Sequence, residues 1–269
     1  MHLLYCDETN LEEKPGVFFV YGGVSTEAAA ALDLSREIDA LIAKHKVAPD
    51  FCLKFNPGPP GLPHSEFNEL KQGVLELAAK YECQLFASLI LHDIATSPSD
   101  ARLKEINRIC YHFDCYLARP NSHGLVLIDR FDDKKIDHHL REKFSVGITG
   151  LPYTPVKKLE RIIGYHYAAI GQSHLCSVVD IALGSLRFAV NACTAGKTAA
   201  MPTAEKLMRL LSPLFFREAG HTKVAEIGLF FSPKVIKAAK YRSKYEEVHT
   251  FMSGCGVVPE QGITDVRTY

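Results

Sequence analysis

The sequence predicts an α/β protein: a mixed β-sheet flanked by helices, followed by a mainly helical C-terminal extension. Two observations carry that expectation. Apolar runs of strand length, at His2 to Asp7, Val17 to Val24, Cys83 to Leu91 and Gly124 to Asp129, are too short to be helices of their own. Longer segments repeat their apolar residues every three to four positions, so the hydrophobic period switches between two and roughly 3.6 along the chain.

The first two runs are joined by Thr9 to Gly16, a hairpin-type connection. Ser25 to Lys46 reads as a helix with Leu32, Ile38, Leu41 and Ile42 on its apolar side and Ser25 or Thr26 as N-cap. A short strand is expected at Phe51 to Phe55. Asn56 to Pro63, with four prolines and two glycines, suits neither helix nor sheet interior and fits a loop over the rim of a site. Next come a helix from near Ser65 to Lys80, the strand ending at Leu91, and a helix that opens at Ser97-Pro98 and stops before Pro120. After the strand Gly124 to Asp129, the pattern gives an amphipathic helix through about Phe144. An irregular stretch follows, with a short strand at Arg161 to Gly164, and then a helix capped by Ser173 and running through Phe188. Thr203 to Glu218 reads as helix, Ile227 to Phe231 as strand, and the segment from Ser232 as a basic helix with Tyr241, Tyr245, Val248 and Met252 inward. The expected division is a core over 1–192 and an extension over 193–269.

Hydrophobic residues make up 47% of the 269 and charged residues 23%, which argues against disordered, collagen-like and coiled-coil classes. No stretch reads as an uncharged membrane span and the N-terminus lacks a signal-peptide pattern, so a soluble, cytoplasmic protein is expected. The eight cysteines form no CxxC pair and mostly lie in apolar runs, as buried thiols in a reducing compartment do. Lys plus Arg equals Asp plus Glu at 31 each, so any polyanion site must be local. The best local run holds Lys234, Lys237, Lys240 and Lys244 at three- and four-residue spacing. On a helix these make one stripe, either a solvated face or a set of phosphate contacts.

Acids stand at informative places. Asp7-Glu8 closes the first strand and is either a turn or half of a metal site; Asp129 closes a second strand. Asp180 interrupts an apolar helix pattern beside the stripe of Cys176, Val179, Leu183 and Leu186, so it is either solvated or turned inward with a compensating cation. Carboxylates from two strand ends and a helix are a donor set for Mg²⁺ or Mn²⁺ that leaves room for water and a phosphate oxygen.

Taken together, Tyr5-Cys6-Asp7-Glu8-Thr9, Phe19 to Val24, Leu53-Lys54-Phe55, Val126 to Asp129 and Val178 to Ala182 resemble the DUF3800 family over about residues 1–192. The resemblance implies a ribonuclease H-like fold and metal-dependent cleavage of RNA or DNA. It matches Asp7, Asp129 and Asp180 to metal ligands, Glu8 to a further ligand or water-orienting base, and Lys54 to a phosphate or charge-balancing contact on the third strand. This chain departs from the family's pattern at Asn10, Cys52 and Ser177, where glycine, an acid and glutamine are usual. The alternative is a non-catalytic module that binds nucleic acid or protein. A structural zinc site is not supported: His112 between Cys110 and Cys115, and His174 near Cys176, lack the paired short spacings zinc needs.

Overall fold

The computed structural model describes residues 1–9, 16–95, 97–130, 134–151 and 154–266. Its strands are β1 (His2–Thr9), β2 (Phe18–Glu27), β3 (Gln84–Leu91), β4 (Gly124–Asp129), β5 (Ile148–Leu151), β6 (Thr154–Lys157), β7 (Ile162–Ala168) and β8 (Leu229–Ser232). Its α-helices are α1 (Ala28–Lys44), α2 (His64–Lys80), α3 (Pro98–Ala118), α4 (Lys134–Ser145), α5 (His174–Thr194), α6 (Met201–Leu211) and α7 (Ala239–Gly254). Six strands form one mixed sheet in the order β7-β4-β1-β2-β3-β8, and β5 and β6 form a separate hairpin. Strands β1, β2 and β3 are successively antiparallel, β4 joins β1 in parallel, β7 joins β4 in parallel, and β8 joins β3 in parallel.

Strand alternation sorts the side chains into two cores. Tyr5, Val20, Val24, Leu85 and Leu89 join α1, α2, α5, α6 and α7 on one face. Leu4, Cys6, Tyr21, Phe86, Val126 and Ile128 join α3 and α4 on the other. Helix α5 lies close on the sheet because β2 has glycine beneath it: a Cβ added at Gly22 would come 2.8 Å from the Leu183 side chain. The Ser173 hydroxyl accepts from the Leu175 N–H (3.1 Å) and fixes where α5 begins.

Several expectations are corrected. Ser25 and Thr26 do not cap α1; they pair with Leu4 and Leu3 of β1, so β2 runs on to Glu27 and α1 has no side-chain cap. Phe51 to Phe55 is not a strand but an irregular segment packed on α5. The helix expected to reach Glu218 ends at Leu211 and tightens into a 3₁₀ turn at Ser212–Leu214, which contains Pro213. The basic helix starts only at Ala239, because Val235 bridges to Thr264 and the Ile236 N–H donates to the Thr264 carbonyl (2.8 Å). Lys234 and Lys237 therefore precede the helix that carries Lys240 and Lys244, and the four form no single helical stripe. Helix α5 is long and apolar enough to cross a membrane by length and composition, contrary to the sequence reading, but most of that stretch is buried within the protein. All eight cysteines are unpaired.

Candidate acid-cluster site

The parallel pairing of β1 with β4 puts their C-terminal ends side by side. Cys6 partners Ile128, and the next position on each strand is an aspartate, Asp7 and Asp129. Tyr5 and Asp7 share the α5 face of β1, and Leu127 and Asp129 share it on β4. Asp180 rises from α5 toward the same end. These three acids, with Lys54, Leu127, Ala168, Cys176 and Val179, line one cavity of about 120 Å³ at the rim of the sheet.

The cluster is electrostatically tense. Burial, and then the charges of Asp129 and Asp180, push the Asp7 carboxyl up to about 8; the Glu8 N–H, donating to Asp7 Oδ1 (2.7 Å), works against that rise. Asp129 and Asp180 are also raised by burial. The Lys54 ammonium opposes the shift at both, helped at Asp180 by Arg187 one helical stripe further along α5. Arg187 has a buried Nε with no hydrogen-bond partner. The sequence reading missed it, although a seven-residue separation from Asp180 is a same-face spacing on a helix.

Lys54 reaches the cavity from a loop rather than from a third strand. The Phe55 N–H donates to Asp180 Oδ2 (2.6 Å), which anchors the loop on α5. The contact needs Gly184, since a Cβ there would lie 2.6 Å from the Phe55 Cβ. Phe55 is buried and its ring is covered by the Lys71 ammonium at 4.4 Å from the centroid.

Glu8 points the other way. One residue on from Asp7, it turns to the α3 face and pairs with Arg102 on α3 at 3.3 Å, both side chains largely buried. Its Oε2 is buried without a hydrogen-bond partner, and burial raises its carboxyl to about 7 against the pull of Arg102. Glu8 touches the rim of the cavity but does not share the aspartates' face.

The donor chemistry suits a hard cation: three carboxylates in one cavity with a single lysine among them. Among the described residues, however, no group of three or more His, Cys, Asp or Glu side chains stands arranged to hold a metal ion. Asp7 Oδ1 is turned back to a backbone N–H and Asp180 Oδ2 is held by another, which leaves the second oxygen of each outside those bonds.

None of the four C-terminal lysines lines the cavity. Lys234 pairs with Glu226 (2.8 Å), and Lys240 sits 4.5 Å from the Tyr241 ring centroid. His112 is buried against the Phe230 ring, with its imidazole driven down to about 3 by burial and by Arg108, and His174 pairs with Asp39 (2.7 Å). Asn10, where the family pattern has glycine, lies outside the described residues. Cys52 is exposed and Ser177 is buried in α5.

Compared with protein-family models, curated proteins and solved structures, the chain matches none.

Proposed function

We propose that this protein is a metal-dependent phosphodiester hydrolase acting on RNA or DNA, with a ribonuclease H-like core of the kind its DUF3800 resemblance implies. The observation that carries the reading is the meeting of Asp7, Asp129 and Asp180, distant in sequence, in one cavity at one end of the sheet. The topology supports it too, with three antiparallel strands in chain order extended by two parallel ones beyond β1.

In this reading Asp7, Asp129 and Asp180 hold Mg²⁺ or Mn²⁺, which when bound supplies Lewis acidity at a phosphate oxygen and an acidified water. Lys54 contacts a phosphate oxygen and offsets part of the acid charge. Arg187 steadies Asp180 from behind. Glu8, paired with Arg102 on the opposite face, fixes the end of β1 and is not a ligand.

One observation favours the alternative, a non-catalytic nucleic-acid- or protein-binding module: the acids are not arranged as a ready coordination shell. A single experiment separates the two. Purified protein is incubated with single- and double-stranded RNA and DNA in Mg²⁺, Mn²⁺ or EDTA. Cleavage that needs the cation and is lost in Asp7→Asn and Asp129→Asn supports the hydrolase; no cleavage of any substrate with either cation leaves the binding module.

A further inference from the structure

We propose that a second cavity, at the end of the sheet remote from the acid cluster, binds an organic cation: an aliphatic amine with two or more ammonium groups. This site goes beyond the hydrolase reading and does not rest on it.

The cavity has a volume of about 470 Å³ and shares no lining residue with the acid cavity. Strand register builds its floor. His2 of β1 partners Glu27 of β2, and Ser25 of β2 partners Gln84 of β3, at the far end of β1 from Asp7. Alternation puts His2, Ser25 and Gln84 on the face that carries Leu4, Tyr21 and Phe86, which α3 covers. Tyr116 of α3 stands over them, its ring edge-on to that of His2 at 5.3 Å between centroids. Ala30 of α1, and Ala79 and Tyr81 at the C-terminal end of α2, add apolar walls.

Two independent observations point to a ligand. The first is Ser25, which is 1% exposed and lines the cavity, yet its buried hydroxyl has no hydrogen-bond partner among the described residues. A buried hydroxyl left unbonded is costly, and a polar group entering the cavity would satisfy it. The second is charge. Glu27 and Glu82 belong to the lining, and no Lys or Arg does. The one basic side chain there, His2, is driven toward its neutral form by burial, against the pull of Glu27 at 3.9 Å and with the help of the Met1 amino group. Lys80, next to Tyr81, is taken up by Glu37 (2.6 Å). The negative field reaches Tyr116, whose hydroxyl is pushed up to about 12 by burial and then by Glu27 and Glu82.

The kind of cation follows from the lining. An anion would meet two carboxylates. A bare metal ion would be lost in so large a space, and no three His, Cys, Asp or Glu side chains among the described residues stand arranged to hold one. An alkyl ammonium brings N–H donors for the carboxylates and for the Ser25 hydroxyl, and methylenes for Ala30, Ala79 and Tyr81.

Isothermal titration calorimetry tests this with putrescine and spermidine, with butanediol as the uncharged counterpart and Ca²⁺ as a bare cation. The amines should bind and butanediol should not. Ser25→Ala should weaken amine binding about ten-fold while melting no lower than wild type, because its hydroxyl has no bond to lose in the free protein. Glu27→Gln and Glu82→Gln should each weaken it about two- to five-fold, and by more at low salt. Asp129→Asn should bind the amines as wild type does, which keeps the acid cavity out of the signal. Absence of amine binding, equal binding of butanediol, or amine binding that survives all three cavity variants would overturn the proposal. So would amine binding lost in Asp129→Asn instead, or Ca²⁺ that displaces the amine and is itself lost in Glu27→Gln and Glu82→Gln. Cleavage of nucleic acid plays no part in these readings, so the failure of either proposal leaves the other standing.

Discussion

Gly184→Ala is the sharpest probe of how the site is held. Alanine is the better helix former by about 1 kcal/mol, so at a neutral position in α5 the change would stabilise the protein. Here the new Cβ would lie 2.6 Å from the Phe55 Cβ and 2.9 Å from its Cδ1. The Phe55 ring cannot simply retreat, because Lys71 covers one side and Phe188 stands at 6.4 Å on another. The loop bearing Lys54 must move instead. Overpacking of this kind costs about 1–3 kcal/mol, and losing the Phe55 N–H bond to the Asp180 carboxylate about 1.5–3 kcal/mol more. After the helix gain is set against these, the expected net loss is about 1.5–5 kcal/mol. Urea denaturation measures it, and a double-mutant cycle with Phe55→Gly, which removes the Cβ as well as the ring, isolates the contact. In the Phe55→Gly background the same change at Gly184 should be neutral or stabilising by up to about 1 kcal/mol. A Gly184→Ala protein as stable as wild type, or an equal cost in both backgrounds, would refute the reasoning.

Arg102→Met should cost about 3–5 kcal/mol, because it strands the largely buried Glu8 carboxylate, whereas Glu8→Gln should leave any cation-dependent cleavage within about ten-fold of wild type; both follow from thermal melts and activity assays. Tyr245→Phe should lose about 2–4 kcal/mol by urea melt, since the Tyr245 hydroxyl donates to the Ser232 carbonyl (2.6 Å) and accepts from the Leu91 N–H (2.9 Å), both buried. His112 is neutral in the folded state down to about pH 3 but takes up a proton in the unfolded chain below its ordinary 6.5. Its contribution is therefore full above pH 6.5 and is lost as pH falls toward 3, by about 2 kcal/mol at pH 5. The urea midpoint of wild type should fall more steeply than that of His112→Asn between pH 6.5 and 5, and parallel slopes would remove His112 from the account.

What the sequence disclosed depended on whether a local pattern had a local cause. The apolar runs of β1, β2, β3 and β4 were legible because each is short and apolar, with β2 and β3 buried on both faces and β4 on alternate residues. Phe51 to Phe55 shows that the same pattern can arise without a strand. Leu53 and Phe55 are buried and Cys52 is exposed, a true period of two, yet the Phe55 N–H goes to a side chain on α5 rather than to a neighbouring strand. The lysine spacing from Lys234 to Lys244 misled in the opposite way. A helix was denied to its first half by pairing with Thr264, a partner too far along the chain for any periodicity to reveal. The β5–β6 hairpin and the full length of β7 were illegible for a related reason: β7 is half exposed at a sheet edge, so its alternation is broken by Ile163, His166 and Tyr167 facing water.

The adjacent acids Asp7 and Glu8 show how far elementary geometry carries the functional argument. Two neighbouring carboxylates in a turn would be interchangeable, but at the end of a paired strand they face opposite sides of the sheet. The antiparallel register with β2 continues through both, Asp7 opposite Gly22 and Glu8 opposite Tyr21, so alternation is still in force there. Asp7 is thereby assigned to the face that α5 covers, where two more aspartates await it. Glu8 is assigned to the face that α3 covers, where Arg102 answers its charge. The energetic consequences diverge accordingly. Glu8 is compensated by a protein cation and contributes to structure. Asp7 is buried and has like charge around it, with Lys54 and Arg187 acting chiefly on its neighbours, so burial first, and then Asp129 and Asp180, push its carboxyl up to about 8. A fold that gathers three acids around too few protein cations is costly to maintain for structure alone, and that imbalance is the physical reason to look for a cation from solution.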